Sequence, residues 1–237
     1  TISSSLGGPG ASRSAFFVSG IGVFVMAFTV EQFIKTRPYL YHVSVKVNLT
    51  LIREHKFLWC AEELTRRGNR PSLSSAKRPD DVYVDVDGTK VCIRDQAPLH
   101  QGNIEFESGW TFGNVLQDLN SRVYFWSGTT KGPTEYGRRY LARYRLKQPV
   151  ILRIRTSDAF AVNSPPEFCK YNSGSPRCSG GRKGPRGPNT FLRREACPFT
   201  SGKVVEVTFR AQMKLPNAVE IAESYAGPWA DIDELRS

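Results

Sequence analysis

An uncharged apolar run near the start limits the architectures open to this chain. Ser14–Ile34 (SAFFVSGIGVFVMAFTVEQFI) contains Ala15–Val30, in which nothing is more polar than Ser19 and Thr29. As a helix the full stretch would rise about 31 Å and its uncharged part about 24 Å, close to the hydrocarbon thickness of a bilayer. The sequence therefore predicts a transmembrane helix over residues 14–35, presenting Ala15, Phe16, Phe17, Gly20, Gly22, Phe24, Met26 and Phe28 to lipid or to partner helices. A buried core helix or the apolar region of a signal peptide would use the same residue types. Only Arg13 precedes the run, whereas Lys35, Arg37, Lys46, Arg53 and Lys56 follow it. By the positive-inside tendency the remainder is expected on the cytosolic or matrix-like side.

The 237 residues suffice for one domain after such an anchor, and the net charge of +11 favours a polyanionic neighbour. Five cysteines (Cys60, Cys92, Cys169, Cys178, Cys197) make an odd set without a C-x2-C pair, which argues for ordinary thiols rather than a disulfide framework or a zinc site. The Ser- and Gly-rich, acid-free segment 1–13 suits the remnant of an organelle transit sequence.

Beyond Arg37-Pro38, Tyr41–Ile52 alternates apolar and polar residues as a half-buried strand does, and Arg53–Arg67 shifts to a helical period that ends at Gly68. Asp87-Gly88 lies between two alternating runs, Val82–Val86 and Thr89–Arg94, the mark of a tight hairpin. Further strand-like runs occur at Ile104–Glu107, Val123–Trp126, Pro149–Arg155 and Lys203–Gln212, with no clear long helix. The expected fold is a single N-terminal transmembrane helix followed by a mainly-β domain, an antiparallel sandwich or open barrel with one or two short helices. Its parts are a tail at 1–13, the span at 14–35, a β-rich domain at 36–215 with a basic Gly/Pro/Arg arm at 171–194, and a C-terminal docking tail at 216–237.

Asp85-Val86-Asp87-Gly88-Thr89 after the strand Val82–Val84 resembles the first motif of the haloacid dehalogenase-like phosphatases. That resemblance implies a phosphoryl-transfer nucleophile at Asp85, an acid/base at Asp87 and magnesium as cofactor. The resemblance stops there: the Arg153- and Arg155-bearing run is unlike an apolar parallel strand, and the ordinary reading of the motif is the hairpin turn. Asn48-Leu49-Thr50 matches a glycosylation sequon, so a single-pass extracellular glycoprotein is a third possibility.

Two basic stretches carry the preferred functional reading. One holds Arg138, Arg139, Arg143 and Arg145 beside Tyr140 and Tyr144; the other, within the arm, holds Arg182, Lys183, Arg186, Arg193 and Arg194. With Trp229 in the acidic tail, they are expected to touch neighbouring subunits and anionic lipid, although that tail could equally fold back on the chain's own basic face. The sequence thus reads as a non-catalytic accessory subunit of a multisubunit organellar complex, in the mitochondrial inner membrane and of respiratory-chain type. No catalytic residue, cofactor, metal, nucleic acid or small-molecule substrate is assigned.

Overall fold

The computed structural model describes residues 27–176 and 184–234. Its helices are short: α1 (Val30–Thr36), α2 (Leu49–His55), α3 (Ala61–Arg67), α4 (Phe112–Asn120), α5 (Glu135–Tyr144) and α6 (Thr156–Ala161). The first strands are β1 (Tyr39–Val45), β2 (Phe57–Trp59), β3 (Val82–Val86), β4 (Thr89–Ile93), β5 (Ile104–Phe106), β6 (Arg122–Thr129), β7 (Gly132–Pro133) and β8 (Pro149–Arg155). After them come β9 (Glu167–Cys169), β10 (Gly184–Arg186), β11 (Leu192–Arg193), β12 (Glu206–Arg210), β13 (Gln212–Lys214), β14 (Glu220–Ala222) and β15 (Ala230–Asp231). The domain is mainly antiparallel β as expected, but the described residues form six short α-helices where one or two were expected.

The main sheet runs β11-β9-β12-β6-β1-β8-β14-β15, with β7 as a short addition to β6. Its ladders are antiparallel; the one parallel pair among the described residues, β5 with β10, lies in a small separate sheet. Leu40, Leu152, Ile154, Phe125 and Val207 project to one side, into a core closed by α1 and α6. Tyr41, Val43, Trp126 and Ile151 project to the other, where Tyr140 of α5 packs on Trp126 at 5.7 Å between ring centroids. Period-2 alternation along β1, β6 and β8 produces both faces. Gly137 lets α5 approach, since a Cβ there would sit 2.8 Å from Trp126 and 2.9 Å from Pro133.

Of the span expected over residues 14–35, only 27–35 are described. Among the described residues no helix is long and apolar enough to cross a membrane. The end of the apolar run folds into the domain instead. Thr29 caps α1 in a reciprocal box with Gln32, which turns the chain so that Phe33 points inward. Phe33 is fully buried and Phe28 nearly so, both against Phe168 at 5.1 and 5.3 Å. Aromatic burial against a sheet is as good a use for these side chains as lipid. Ala15, Phe16, Phe17, Gly20, Gly22, Phe24 and Met26 lie outside the described residues.

The strand expected over Tyr41–Ile52 ends at Val45. Asn48 diverts the chain: its Oδ1 accepts from the Cys92 N–H at 2.7 Å and its Nδ2 donates to the Cys92 carbonyl at 2.9 Å, pinning the start of α2 to β4. The same bonds commit the sequon's amide to the domain. The helix expected over Arg53–Arg67 divides into the end of α2, the strand β2 and α3, with Lys56 in the left-handed region at φ 56°. The Asp87-Gly88 hairpin forms as read, with φ of 52° and 79° at its central residues. Helices α4 and α5 are additional to the reading. Residues 216–234 are not a free tail: β14 pairs with β8, Ile232 is buried, and Trp229 lies 3.9 Å from the Arg153 guanidinium.

Candidate functional site

The main sheet is incompletely closed. β1 pairs with β8 through seven residues but with β6 only through Tyr39, Leu40 and Tyr41. Beyond Tyr41 and Trp126 these two strands part, although β6 continues to pair with β12 as far as Arg122. A cavity of about 270 Å³ opens at this split. His42 and Ser44 line it from β1, Tyr124 and Trp126 from β6, Glu206 from β12, and Tyr140 and Tyr144 from α5. Arg78, Arg94 and Asp95, around the end of the β3–β4 hairpin, and Asn172 and Ser173 complete the wall. Apolar walls with a few convergent polar groups are the usual makings of a small-molecule site.

Glu206 is the most perturbed acid here. Its side chain is only 3% exposed; Oε1 accepts from the Ser173 N–H at 3.1 Å, and Oε2 is buried without a hydrogen-bond partner. Burial pushes its carboxyl up to about 7, against the opposing pull of Ser173 and of the Arg186 charge. Arg186, 2% exposed, donates to the carbonyls of Asn172 and Ser173 at 3.2 and 3.4 Å and so holds that loop beside Glu206. Part of the basic arm is therefore wall, not free surface.

His42 bridges the parting strands, its Nδ1 2.8 Å from the Tyr124 carbonyl. A carbonyl oxygen only accepts, so Nδ1 carries the proton and Nε2 is left as an acceptor. Burial pulls its pKa down to about 4, which keeps the ring neutral at physiological pH. The thiols of Cys60, Cys92, Cys169 and Cys197 are free and buried, and burial raises each of them. Protonated, buried thiols are inert packing groups; Cys178 lies outside the described residues.

The arginines around the cavity divide by partner. Arg122 ion-pairs with Asp118 at 2.8 Å and with Glu167. Arg78 is 5% exposed and gives its N–H groups to neutral acceptors: Asn120 Oδ1 at 2.9 Å and the carbonyls of Arg94 and Leu73. Arg94 donates through Nη2 to the Ser44 carbonyl at 2.5 Å, while its buried Nε and Nη1 have no partner.

The residues expected to meet lipid or partners scatter. Arg138, Arg139, Arg143 and Arg145 are exposed on or just after α5. Arg139 pairs with Glu135 at 3.0 Å, Arg143 with Asp95 at 3.4 Å, and Arg138 donates to the Lys131 carbonyl at 2.6 Å. Arg193 is exposed and Arg194 pairs with Glu195 at 2.7 Å; Arg182 and Lys183 lie outside the described residues.

Asp85 and Asp87 lie at the end of an antiparallel hairpin rather than of a parallel strand. Both are exposed in the β3–β4 turn, where Asp85 Oδ1 accepts from the Gly88 N–H at 3.0 Å. Asp87 lies 3.6 Å from His55 and 3.8 Å from Arg67, whose guanidinium would compete with magnesium. Among the described residues no three His, Cys, Asp or Glu side chains are grouped to hold a metal, and β3 pairs only with β4 rather than entering a parallel sheet.

Sequence reasoning passed over His42, Arg94 and Glu206, which are brought together only by the fold. The available signal was Glu206 itself, one acid inside the apolar run Val204–Phe209.

No curated protein and no solved structure matches the chain. A family model does: residues 38–220, from just before β1 to the first residue of β14 and so including His42, Arg94 and Glu206, match DUF7002, a family of unknown function, and the chain belongs to that family.

Proposed function

We propose that this domain is an enzyme acting on a small molecule bound in the split between β1 and β6, with Glu206 as the proton-transfer group. The observation that carries the reading is the Glu206 carboxyl, buried on the cavity wall with Oε2 unpartnered and its pKa raised to about 7. A carboxyl poised there exchanges a proton at neutral pH, which an ordinary surface glutamate does poorly. His42, held neutral with Nε2 available, supplies an acceptor for a ligand hydroxyl or amine on the same cavity.

The test compares the full chain with Glu206→Gln. Ligand-observed NMR against a library of small metabolites finds binders, and mass spectrometry follows their conversion. The expected result is binding by both proteins and turnover by the wild type that falls about a hundredfold or more in the variant. Equal turnover removes Glu206 from the chemistry, and a library without binders removes the site.

A second reading, bracing of anionic lipid or an acidic neighbour within an organellar membrane complex, draws on one observation. Arg139, Arg143 and Arg145 are exposed next to Leu146, which is 88% exposed. Cations around a bare aliphatic side chain suit a headgroup surface. Flotation with cardiolipin-containing vesicles, lost in Leu146→Asp, would support it.

A further inference from the structure

We infer that the cavity recognises an oxyanion on its ligand, a carboxylate or phosphate group, through Arg94 with Arg78 beside it. The inference rests on the reading of the split as a ligand site and adds the chemical class of what enters.

The argument is one of charge left uncompensated. Five ionic side chains line the cavity: Arg78, Arg94, Arg122, Asp95 and Glu206. Arg122 is neutralised by Asp118 and Glu167. Asp95 is engaged by Arg143 at 3.4 Å and Lys147 at 3.3 Å, besides accepting from the Tyr144 hydroxyl at 3.1 Å. Glu206 is held toward its neutral form by burial. That leaves Arg78 and Arg94, neither in direct ion-pair contact among the described residues; Asp95 acts on Arg78, and Asp81 with Arg94, only from beyond contact. A buried guanidinium without a counter-ion is costly, and such groups are ordinarily paired.

Geometry singles out Arg94 of the two. Its guanidinium carbon lies 4.5 Å from the Tyr144 ring centroid and 5.4 Å from that of Tyr140, and Nη2 is tied to Ser44. Two rings and one hydrogen bond fix the group, while Nε and Nη1 have no acceptor. A fixed guanidinium with donors to spare is built for an oxyanion. Arg78, its own donors satisfied by neutral oxygens, adds charge without needing contact.

The experiment follows the thermal midpoint of the full chain in sodium phosphate and, separately, sodium acetate, at ionic strength held constant with chloride. Wild type should show saturable stabilisation by at least one of the two, and which one responds assigns the oxyanion. Arg94→Gln should fold and weaken that response about tenfold or more, as expected for loss of charge-assisted hydrogen bonds. Arg94→Lys, which keeps the charge and guards against a misfolded Gln variant, should weaken it less. Exposed Arg139→Gln is the control and should respond as wild type does. The inference is overturned if neither anion exceeds chloride, or if Arg94→Gln keeps the full response. Neither outcome touches the role of Glu206, which stands or falls on turnover by Glu206→Gln.

Discussion

Glu206→Gln should change how stability depends on pH as well as turnover. The Glu206 carboxyl titrates near 4.5 when unfolded and near 7 when folded. Between those values the native state holds a proton the unfolded chain has released, so stability is fully present below about pH 4.5 and is lost as pH rises through 7. At about 1.36 kcal/mol per pH unit, the 2.5-unit difference amounts to about 3 kcal/mol. His42 works in the opposite sense. It titrates near 6.5 unfolded and near 4 folded, so the unfolded chain binds the extra proton and stability rises with pH between those values. From pH 4.5 to 6.5 the two slopes oppose each other. Urea unfolding of the wild type should therefore give a shallow profile over this window, falling from 6.5 to 7. Glu206→Gln keeps an acceptor for the Ser173 N–H and removes only the titration. It should match the wild type near pH 4.5, rise with pH, and exceed it by about 3 kcal/mol at pH 8. Wild-type and variant profiles that run parallel from pH 4.5 to 8 would refute a buried, neutral Glu206.

Other substitutions probe the packing that builds the site. Phe33→Ala should cost about 3–5 kcal/mol in urea unfolding, because its ring is fully buried against Phe28, Phe160 and Phe168; a cost under 1 kcal/mol would mean the end of the apolar run is not core. Asn48→Ala loses both bonds to the Cys92 backbone and should cost about 1–3 kcal/mol, with faster amide exchange in β4 as its local signature. Gly137→Ala forces a Cβ against Trp126 and Pro133 and should lower stability by about 1–3 kcal/mol, read by calorimetry.

What could be read from the sequence was local. The alternation in Pro149–Arg155 and the Asp87-Gly88 turn each need only neighbouring residues, and both appear with the expected bounds. Alternation failed at Val47–Leu51 because a period-2 run there also satisfies a short helix: Leu51 and Ile52 are buried from α2, and what ends the strand is Asn48 bonding to Cys92, 44 residues away. Helix α5 was hidden by its charge. Four arginines on and just after it drew the reading toward a polyanion, yet Gly137, Tyr140 and Tyr144 recur at helical spacing and face Trp126 or the cavity. At the described end of the apolar run, length and hydrophobicity alone do not show which neighbours arrive later in the chain; Phe168 and Phe160 are what Phe28 and Phe33 meet.

The site follows from a mismatch between two ladders. β1 is committed to β8 along its whole length, and β6 is committed to β12 through Arg122, so twist between the two pairs is released where they join. Opening a sheet exposes strand edges whose carbonyls and N–H groups need partners. Here two side chains supply them: His42 reaches the Tyr124 carbonyl, and Arg94 reaches the Ser44 carbonyl. Both therefore bridge or cap the opening and line it, with Nε2 of His42 left as an acceptor and Nε and Nη1 of Arg94 without partners. Replacing either should thus act twice, loosening the β1–β6 junction and removing a ligand contact, whereas Glu206, whose strand pairing uses only its backbone, can be changed to Gln without disturbing the opening. Hydrogen exchange near pH 4.5, where Glu206→Gln matches the wild type in stability, separates the two effects: Arg94→Gln should raise exchange at Ser44 and Val45, and Glu206→Gln should leave it unchanged.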